Sequence, residues 1–252
     1  MPTIGISLIA HNEEEQIRQA LESASFADQI VAVNCESTDR TREIIMEFPQ
    51  VTIFDRKNNP NLNQNKTFAF EQLTTDWIFY LDPDERIPPD LRDRIRNAAN
   101  EKPVAFKIPR KNFFFGRWLE HGGQYPDYQL RFFKRGFAKF PNRHVHESLE
   151  VTGEIGTIRE PFEHIPYPSV SSFLKKMNFY TTFQADFWEK DGMKSSLWRS
   201  FRFFLFRPIS RFLRRYFFLG GFRDGWQGYL AALGDAFQIA VSWAKFLHGS
   251  KR

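Results

Sequence analysis

Short apolar runs alternate with helix-like segments over the first hundred residues, and this alternation limits the chain to few folds. The strand-like runs are residues 4–10, 29–34, 51–54, 77–81 and 104–108. Apolar residues at helical spacing predict the first helix, and they are Ile17, Ala20, Leu21 and Ala24. Strands joined by helices over short connections predict an α/β domain with a mainly parallel sheet covered on both faces. Ligands bind beyond the carboxyl ends of such strands, so the loops that follow them are expected to form one functional rim.

The loop after the first strand carries polar residues with two possible roles. Asn12 offers a cap for the first helix, with Glu13, Glu14 and Glu15 in its first turn, where carboxylates suit the helix dipole. Asn12 and Glu15 also have the spacing of a capping box. Capping therefore accounts for these residues by itself, and binding of a ligand at the rim is the alternative.

The sequence Asp82-Pro83-Asp84-Glu85 directly follows the apolar strand 77–81. Two carboxylates at i and i+2 on a turn can share one divalent cation, whose other ligands are water and substrate phosphates. Such a cation neutralises charge on a diphosphate leaving group. A solvated turn is the alternative, because Asp and Pro are common turn residues. Three acids directly after a buried strand favour the cation site.

The later part of the chain has a different pattern. Residues 111–163 crowd aromatic, glycine and histidine residues without helical period, which predicts an irregular, partly β segment closing over the rim. From Ser169 onward the chain is predicted to be helical, with breaks at Pro208 and at Gly220-Gly221.

The only cysteine, Cys35, excludes an intramolecular disulfide and fits a reducing compartment. Residues 1–9 lack the pattern of a signal peptide.

The net charge of +5 is concentrated near the C-terminus. Residues 192–223 contain eight basic residues and no acidic one, so the rest of the chain carries 5 − 8 = −3. Residues 197–218 contain nine aromatic residues interleaved with arginine, and no charge-free run of about 18 residues that would predict a membrane span. A basic, aromatic helix predicts binding at an anionic membrane interface. Single-stranded RNA and packing as a helical cap are the alternatives.

Several motifs follow one another along the chain. The first set is Ile9-Ala10-His11-Asn12-Glu13-Glu14, Ser37-Thr38-Asp39-Arg40-Thr41, Asn65-Lys66 and residues 77–85. In this order they resemble family 2 glycosyltransferases with the GT-A fold. A second set, residues 109–113, 116–118, 121–123, 125–131, 145–147 and 222–228, is similar to bacterial lipopolysaccharide-core β-1,4-glucosyltransferases.

The resemblance implies an inverting, metal-dependent transfer of a hexose from a nucleotide-diphospho-sugar. It favours a UDP-sugar as donor, Mg²⁺ or Mn²⁺ as the metal and a glycan or lipid-linked acceptor, in lipopolysaccharide core or other cell-envelope glycan synthesis. It implies a GT-A catalytic domain over residues 1–168, with a nucleotide-sugar-binding half (1–110) and an acceptor- and metal-closing half (111–168). Residues 169–252 are expected to form a helical tail at the membrane. The expected location is therefore cytoplasmic, on the inner face of the cell membrane, and no nucleic-acid partner is expected.

The same resemblance assigns roles at the donor site. Asp39 is expected to accept a hydrogen bond from the donor's base, or to cap the helix from Thr41. Asn12 and Glu13 are expected near the nucleotide. Lys66 is expected to face the diphosphate, or to be an exposed lysine. Asp82 is expected to contact the ribose or the metal.

Further roles concern the metal and the acceptor. Asp84 is the expected metal ligand, with His146 as a further one. His144 lies two residues away and is not separable from His146 by sequence. Asp127 is the candidate general base, because a carboxylate within hydrogen-bond reach can deprotonate the attacking hydroxyl. The acceptor or phosphate candidates are Arg131, Trp118, His121 and Tyr125.

Two other functions compete with this one. A protein that keeps the fold but only binds membrane or glycan is the non-enzyme alternative, since a fold alone does not establish activity. A nucleotidyltransferase would need a glycine-rich basic loop after the first strand, where the chain has Ala10-His11-Asn12-Glu13.

Overall fold

The alternation of strands and helices expected from the sequence is present in the computed structural model, which describes residues 1–59, 61–141 and 148–249. The first elements are β1 (Ile4–Ala10), α1 (Ile17–Ala24), β2 (Gln29–Cys35), α2 (Thr41–Met46), β3 (Val51–Arg56), α3 (Leu62–Glu71), β4 (Trp77–Leu81), β5 (Glu85–Arg86) and α4 (Pro89–Ala98). The middle strands are β6 (Ala105–Phe114), β7 (Arg117–Trp118), β8 (Asp127–Lys134), β9 (Ala138–Lys139), β10 (Glu150–Val151), β11 (Ile155–Thr157) and β12 (Phe162–Tyr167). The C-terminal helices are α5 (Val170–Lys190), α6 (Leu197–Phe201), α7 (Arg207–Leu213) and α8 (Gly225–Gly249).

The chain divides into two units whose boundary differs from the one expected from sequence. Unit 1 comprises Met1–Arg110 and Tyr128–His164, and unit 2 comprises Lys111–Asp127 and Ile165–Arg252. Residues 111–127 therefore group with the C-terminal helices and not with residues 128–164. The backbone N–H of Gly122 donates to the carbonyl of Leu219, which is one of the bonds that join this segment to the helices.

Unit 1 contains the central sheet, whose strand order is β3-β2-β1-β4-β8-β6-β12-β5. Strands β3, β2, β1 and β4 are parallel to one another, as expected. Strand β8 then pairs antiparallel with β4, and β12 pairs antiparallel with β5, so the sheet is mixed. The first four strands place their carboxyl ends at one edge, which forms the rim.

Apolar layers on both faces of the sheet hold unit 1 together. One cluster includes the buried face of α1 and fully buried residues such as Phe79 and Phe132. The other includes Val31, Phe70 and Phe133. Every residue of β1 is buried, because the strand lies between two parallel neighbours and under helices on both sides.

Unit 2 is mainly helical, and its helix α8 packs along α5 and α7. Trp243 of α8 is fully buried and stacks on Phe203 with ring centroids 4.5 Å apart. Two π-helical turns, Arg202–Phe206 and Arg214–Phe218, flank α7. The prediction of a break at Pro208 is wrong, because the π-helical turn Arg202–Phe206 continues directly into α7, of which Pro208 is the second residue. The prediction at Gly220-Gly221 is right, since Gly220 has a φ of 72° and ends the helical stretch.

One helix in the described part of the chain is long and apolar enough to cross a membrane by length and composition alone. It spans Gly221–Gly249, and its most apolar 18-residue window has a mean hydropathy of 1.2 with 39% of that window buried. Lys245 of this helix donates to the carbonyl and side-chain oxygens of Asn178 on α5, each at 2.7 Å. These hydrogen bonds tie α8 to α5.

Candidate functional site

The loops that follow the four parallel strands are tied to one another by hydrogen bonds. After β1, the side chain of Asn12 accepts from the backbone N–H of Thr38 at 2.7 Å. The backbone N–H of Asn12 donates to the Ser37 hydroxyl at 3.1 Å. The Thr41 hydroxyl accepts from the backbone N–H of Glu13 at 2.7 Å. Hydrogen bonds thus connect the loops that follow β1 and β2.

The predicted capping role of Asn12 is wrong. Helix α1 begins at Ile17, its N-cap is Gln16, and its first turn contains no acidic residue. Residues 13–16 form a separate turn, in which the carbonyl of Glu13 accepts from the N–H of Gln16 and of Ile17. Asn12 is instead free of the helix and joins two rim loops.

Backbone strain is concentrated at this rim. The non-glycine residues with positive φ in the described chain are Asn12 (55°), Glu36 (52°) and Phe115 (53°). Two of the three therefore lie directly after β1 and β2. Left-handed backbone in a residue such as Glu costs roughly 1 kcal/mol or more and is frequent at functional sites. The rim is accordingly a candidate site on backbone geometry as well as on residue type.

Asp39 fixes the loop between β2 and α2. One carboxylate oxygen accepts from the backbone and hydroxyl of Thr41 at 3.0 and 2.6 Å, and the other accepts from the N–H of Glu14 at 3.1 Å. Partial burial would raise the pKa of Asp39, but these hydrogen bonds outweigh it and hold that pKa below its usual value. The N-cap of α2 is Arg40, although Asp39 satisfies an N–H at the helix start. Asp39 is therefore an ionised acceptor at the rim.

Asp82 lies directly beyond β4 between two cations. Its Oδ1 is 3.0 Å from Nζ of Lys66, and its Oδ2 accepts from Arg131 at 2.9 Å. Burial raises the pKa of Asp82, but Lys66 and Arg131 outweigh it and lower that pKa to about 2. Lys66 is a half-buried residue of α3, 4.9 Å from the centre of the Tyr80 ring. Lys66 thus belongs to the Asp82 site and is not simply an exposed lysine.

Glu85 and Arg131 hold the turn that carries Asp82 and Asp84. Glu85 is fully buried, accepts from the N–H of Asp82 at 3.0 Å and is paired with Arg131. Burial raises the pKa of the Glu85 carboxyl, and the positive charge of Arg131, which lowers that pKa, does not outweigh the burial. Burial also opposes the charge of Arg131, but Glu85, Tyr80 and Asp82 raise the pKa of that guanidinium.

The prediction that Arg131 contacts an acceptor or a phosphate needs correction. Its side chain is only 4% exposed, and its guanidinium is shared between Asp82 and Glu85. Arg131 lies on strand β8, which pairs antiparallel with β4, and this pairing explains its placement; sequence alone gave no sign of the pairing.

Arg86, a residue that the sequence analysis missed, braces the same turn from its other side. Its Nη1 donates to the carbonyls of Pro83 and Glu85, both at 2.7 Å, and its Nη2 donates to the carbonyl of Gln16 at 2.9 Å. The available signal in the sequence was an arginine directly after an acidic motif. Nothing in the sequence indicated that this arginine is buried.

Asp84 lies beside a histidine other than the predicted one. Its Oδ2 is 3.6 Å from Nε2 of His164, and the two side chains are 16% and 15% exposed. His164 is on β12, where it pairs in register with Glu85. His144 and His146 lie outside the described residues. Within the described ranges, no group of three or more His, Cys, Asp or Glu side chains forms a metal site.

Asp127, the predicted base, belongs to unit 2 and begins β8. Its Oδ2 accepts a long hydrogen bond of 3.4 Å from Nδ2 of Asn112, which also donates to the carbonyl of Gln124 at 2.9 Å. Asn112 is 4% exposed, whereas Asp127 is half-buried. The carboxylate is therefore held from one side by a buried amide.

The acceptor candidates Trp118, His121 and Tyr125 lie in the same segment of unit 2. The rings of Trp118 and Tyr125 meet edge-to-face at 5.3 Å. Nδ1 of His121 is 2.9 Å from Oδ1 of Asp224, and the N–H of His121 donates to Oδ2 of that residue at 2.8 Å. Asp224 is 3% exposed. His121 is therefore anchored through its ring, while Trp118 and Tyr125 form a half-buried aromatic pair.

Comparison with known proteins identifies the family. A relative from Rhizobium meliloti, the lipopolysaccharide core biosynthesis glycosyltransferase LpsC, is 26% identical over 245 residues, which cover 94% of this chain and 89% of the relative. An uncharacterised glycosyltransferase of Rickettsia felis is 28% identical over 247 residues, which cover 89% and 84%. The crystal structure of S. aureus TarS residues 1–349 in complex with UDP superposes with a TM-score of 0.52 at 13% identity, covering 96% and 91% of the two chains.

The α/β class and the GT-A type of fold are therefore confirmed. The family model for glycosyl transferase family 2 matches residues 6–165, which is more than half of the 252 residues. The match begins in β1, includes the rim and the Asp82–Glu85 turn, and ends just after His164. The chain belongs to glycosyl transferase family 2.

Proposed function

We propose that this glycosyltransferase moves a hexose, with inversion, from a UDP-sugar to a glycan or glycolipid acceptor of the cell envelope. The observation that carries the proposal is the cluster of Lys66, Asp82, Asp84 and His164 beyond the carboxyl end of the parallel strand β4. Open α/β sheets bind ligands at this edge. The relatives support the reaction class: LpsC is named for lipopolysaccharide core biosynthesis, and TarS was solved with UDP.

The donor is proposed to lie along the rim. Asp39 is an ionised acceptor suited to an N–H of the base, and Asn12 and Glu13 belong to the same network. Lys66 carries a positive charge at the Asp82 end, where it can compensate charge on a diphosphate. UDP is favoured over other nucleotides by the family resemblance and by the ligand of TarS.

A divalent metal is proposed at Asp84, with His164 as the second protein ligand. The residues fit such an ion, because carboxylate and imidazole lie 3.6 Å apart and both are partly exposed. Two protein ligands are enough when substrate phosphates and water complete the shell, as is usual for Mg²⁺. Asp82 is already compensated by Lys66 and Arg131, which favours a supporting role for it at the metal or the ribose. When bound, the metal would neutralise charge on the departing diphosphate.

Asp127 is proposed as the base that activates the acceptor. As the acceptor oxygen bonds to the anomeric carbon, the carboxylate takes the hydroxyl proton and the bond to the diphosphate oxygen breaks. The electron pair of that bond leaves with the nucleoside diphosphate. The buried amide of Asn112 donates to one carboxylate oxygen of Asp127 and so helps to position this base. Trp118 and Tyr125 present an aromatic surface on which a sugar ring could stack.

We further propose that unit 2 lies on the cytoplasmic face of an anionic membrane. Its helices expose large apolar side chains, of which Trp198 (66%), Phe206 (61%) and Phe218 (84%) are examples. Exposed apolar surface of this extent marks an interaction site. The same segment carries the excess of arginine, which adds attraction to anionic lipids.

Release of UDP from UDP-hexoses tests the proposed activity. The purified chain with Mn²⁺ is expected to release UDP slowly from its own donor by transfer to water, and faster when a membrane-derived glycolipid fraction is added. A chain that binds a UDP-sugar but releases no UDP under either condition would support the non-catalytic alternative.

A further inference from the structure

A cavity of about 830 Å³ lies within unit 2, between α5, the 202–219 helical stretch and α8. Its volume is in the range of small-molecule sites, about 300–1,000 Å³. The lining is polar and includes Arg207, Arg211, Arg214, Arg215 and Asp235. None of these residues belongs to the donor or acceptor sites described above.

The lining is strongly basic. Four arginines and one aspartate give 4 − 1 = +3. Asp235 on α8 accepts from Nε of Arg211 and is paired with Nε of Arg215. It therefore holds each of the two guanidinium groups at its Nε side. Arg215 also donates from Nη1 to the carbonyl of Gly122 at 2.9 Å. The acid therefore positions the arginines without neutralising them.

Among the residues that the structure describes, the other two arginines pair with no acid. The guanidinium of Arg207 lies 4.4 Å from the centre of the Phe203 ring. Arg214 makes no ion pair or side-chain hydrogen bond within the described residues. Arginine forks bind phosphate oxygens in pairs, so four of them around one cavity suit a group with two or more negative charges.

The helical stretch that supplies the arginines carries them on the side that lines the cavity, although Arg207, Arg211 and Arg214 remain exposed. The four cavity arginines follow one another at i, i+4, i+7 and i+8, which places them on one side of a helix. Residues on the opposite side are apolar and exposed, namely Phe206 (61%), Ile209 (55%), Leu213 (41%) and Phe217 (55%). A helix with arginines facing a protein cavity and apolar residues facing outward suits a lipid environment, not water.

We propose that this cavity binds the phosphomonoester or diphosphate head group of a membrane lipid. The outward apolar face would lie among acyl chains, and the arginines, of which Arg207, Arg211 and Arg214 are exposed, would bind the phosphate oxygens. This inference rests on the proposed membrane placement of unit 2. It adds a defined head-group site to what would otherwise be a general attraction between basic residues and anionic lipids.

Vesicle binding with two lipid compositions tests the head-group site. Phosphatidylcholine vesicles contain either phosphatidic acid, a phosphomonoester, or phosphatidylglycerol, a phosphodiester, at matched surface potential. The double variant Arg207→Gln/Arg214→Gln is compared with Lys194→Gln/Arg202→Gln. The control removes the same charge at two exposed residues that do not line the cavity. UDP release is measured for each protein as an independent readout of unit 1.

The parent is expected to bind phosphatidic acid vesicles about tenfold more tightly than phosphatidylglycerol vesicles. One or two additional charge-assisted hydrogen bonds to the phosphomonoester would give a difference of this size. The cavity variant should lose this preference, whereas the control should keep it and weaken on both vesicles alike. The head-group site would be overturned if the parent showed no preference for phosphatidic acid, or if both variants lost that preference equally. Inorganic phosphate that raises the melting temperature of the parent, with no vesicle preference, would overturn the lipid source.

These outcomes differ from failure of the proposed function. A parent that binds neither vesicle would contradict the membrane placement itself and the head-group site with it. If the cavity variant loses the preference for phosphatidic acid while all three proteins still release UDP, the cavity and the donor site are separate.

Discussion

At the scale of single residues, the Asp82–Glu85 turn is a balance of buried charges. Asp82 and Glu85 share Arg131, and Lys66 offsets the remaining charge of Asp82. Asp84 lies beside His164. Asp82 and Glu85 are therefore held by buried cations, and Asp84 is the acid of this motif that we propose as the metal ligand.

Substitution of Asp84 tests the proposed metal ligand. Asp84→Asn is expected to abolish the gain in UDP-sugar affinity that Mn²⁺ gives the parent, because the amide is a poor ligand for a hard cation. Isothermal titration with and without Mn²⁺ measures this. Asp93→Asn, an exposed acid on α4, is the control with the same charge change. A full Mn²⁺ effect in Asp84→Asn would place the metal elsewhere.

Substitution of Asp127 tests the proposed base. Asp127→Asn keeps the shape of the side chain but cannot take a proton, so kcat for transfer should fall about 100-fold to 10,000-fold. The Kd for the donor should stay within about twofold in the same titration. Turnover close to that of the parent would mean that another group accepts the proton.

Arg131 gives a test of the corrected role. Arg131→Gln leaves Asp82 and Glu85 without their shared cation, and the free energy of unfolding should fall by about 3 kcal/mol. Lys134→Gln, on an exposed position of the same strand, should change it by less than about 0.5 kcal/mol. Urea unfolding followed by circular dichroism compares the two. A folded, equally stable Arg131→Gln protein with a raised KM for the acceptor would restore the acceptor role.

At the scale of elements, the periodicity of apolar residues predicted where strands and helices occur. The exact residues at which they begin, and the partners of the polar residues there, were harder to predict. The helix α1 was expected because Ile17, Ala20, Leu21 and Ala24 share one face, and these residues are buried. Its start was wrong, because Asn12 satisfies a neighbouring loop instead of the helix. Local patterns cannot show this, since the partner, Thr38, is distant in sequence.

The acidic site shows the same limit. The motif Asp82–Glu85 could be found because it directly follows an apolar strand. The approach of His164 to Asp84 could not be predicted, because it depends on the pairing of β12 with β5. Arg86 and Arg131 also acquire their partners only through sheet pairing and burial.

The start of α8 provides a packing test at this scale. A Cβ on Gly228 would lie 2.1 Å from the carbonyl oxygen of Gly221 and 2.8 Å from Cβ of Asp224. Alanine normally stabilises a helix interior by about 1 kcal/mol relative to glycine. Here Gly228→Ala should instead destabilise the protein by about 1–3 kcal/mol, because backbone must move. Gly249→Ala, whose nearest contact would be 3.7 Å away, is the control in the same unfolding measurement. Equal stability of both variants would contradict this packing.

At the scale of the whole molecule, the two units carry different chemistry. Unit 1 contains the rim, with ionised acids and a lysine at the carboxyl ends of its parallel strands. Unit 2 contains the candidate base, the aromatic pair Trp118 and Tyr125 and the arginine-lined cavity. We therefore propose donor binding by unit 1, and acceptor and membrane recognition by unit 2.

Donor recognition is the central claim, and a thermal-shift comparison of nucleotide-sugars tests it most directly. UDP-, GDP-, ADP- and dTDP-sugars are each added with and without Mn²⁺ or Mg²⁺. A ligand of the native state at 100 times its Kd stabilises by about 2.7 kcal/mol and raises the melting temperature. The account predicts a rise with UDP-sugar that depends on metal and is lost in Asp84→Asn. No rise with any donor, with or without metal, would contradict the donor site at the rim.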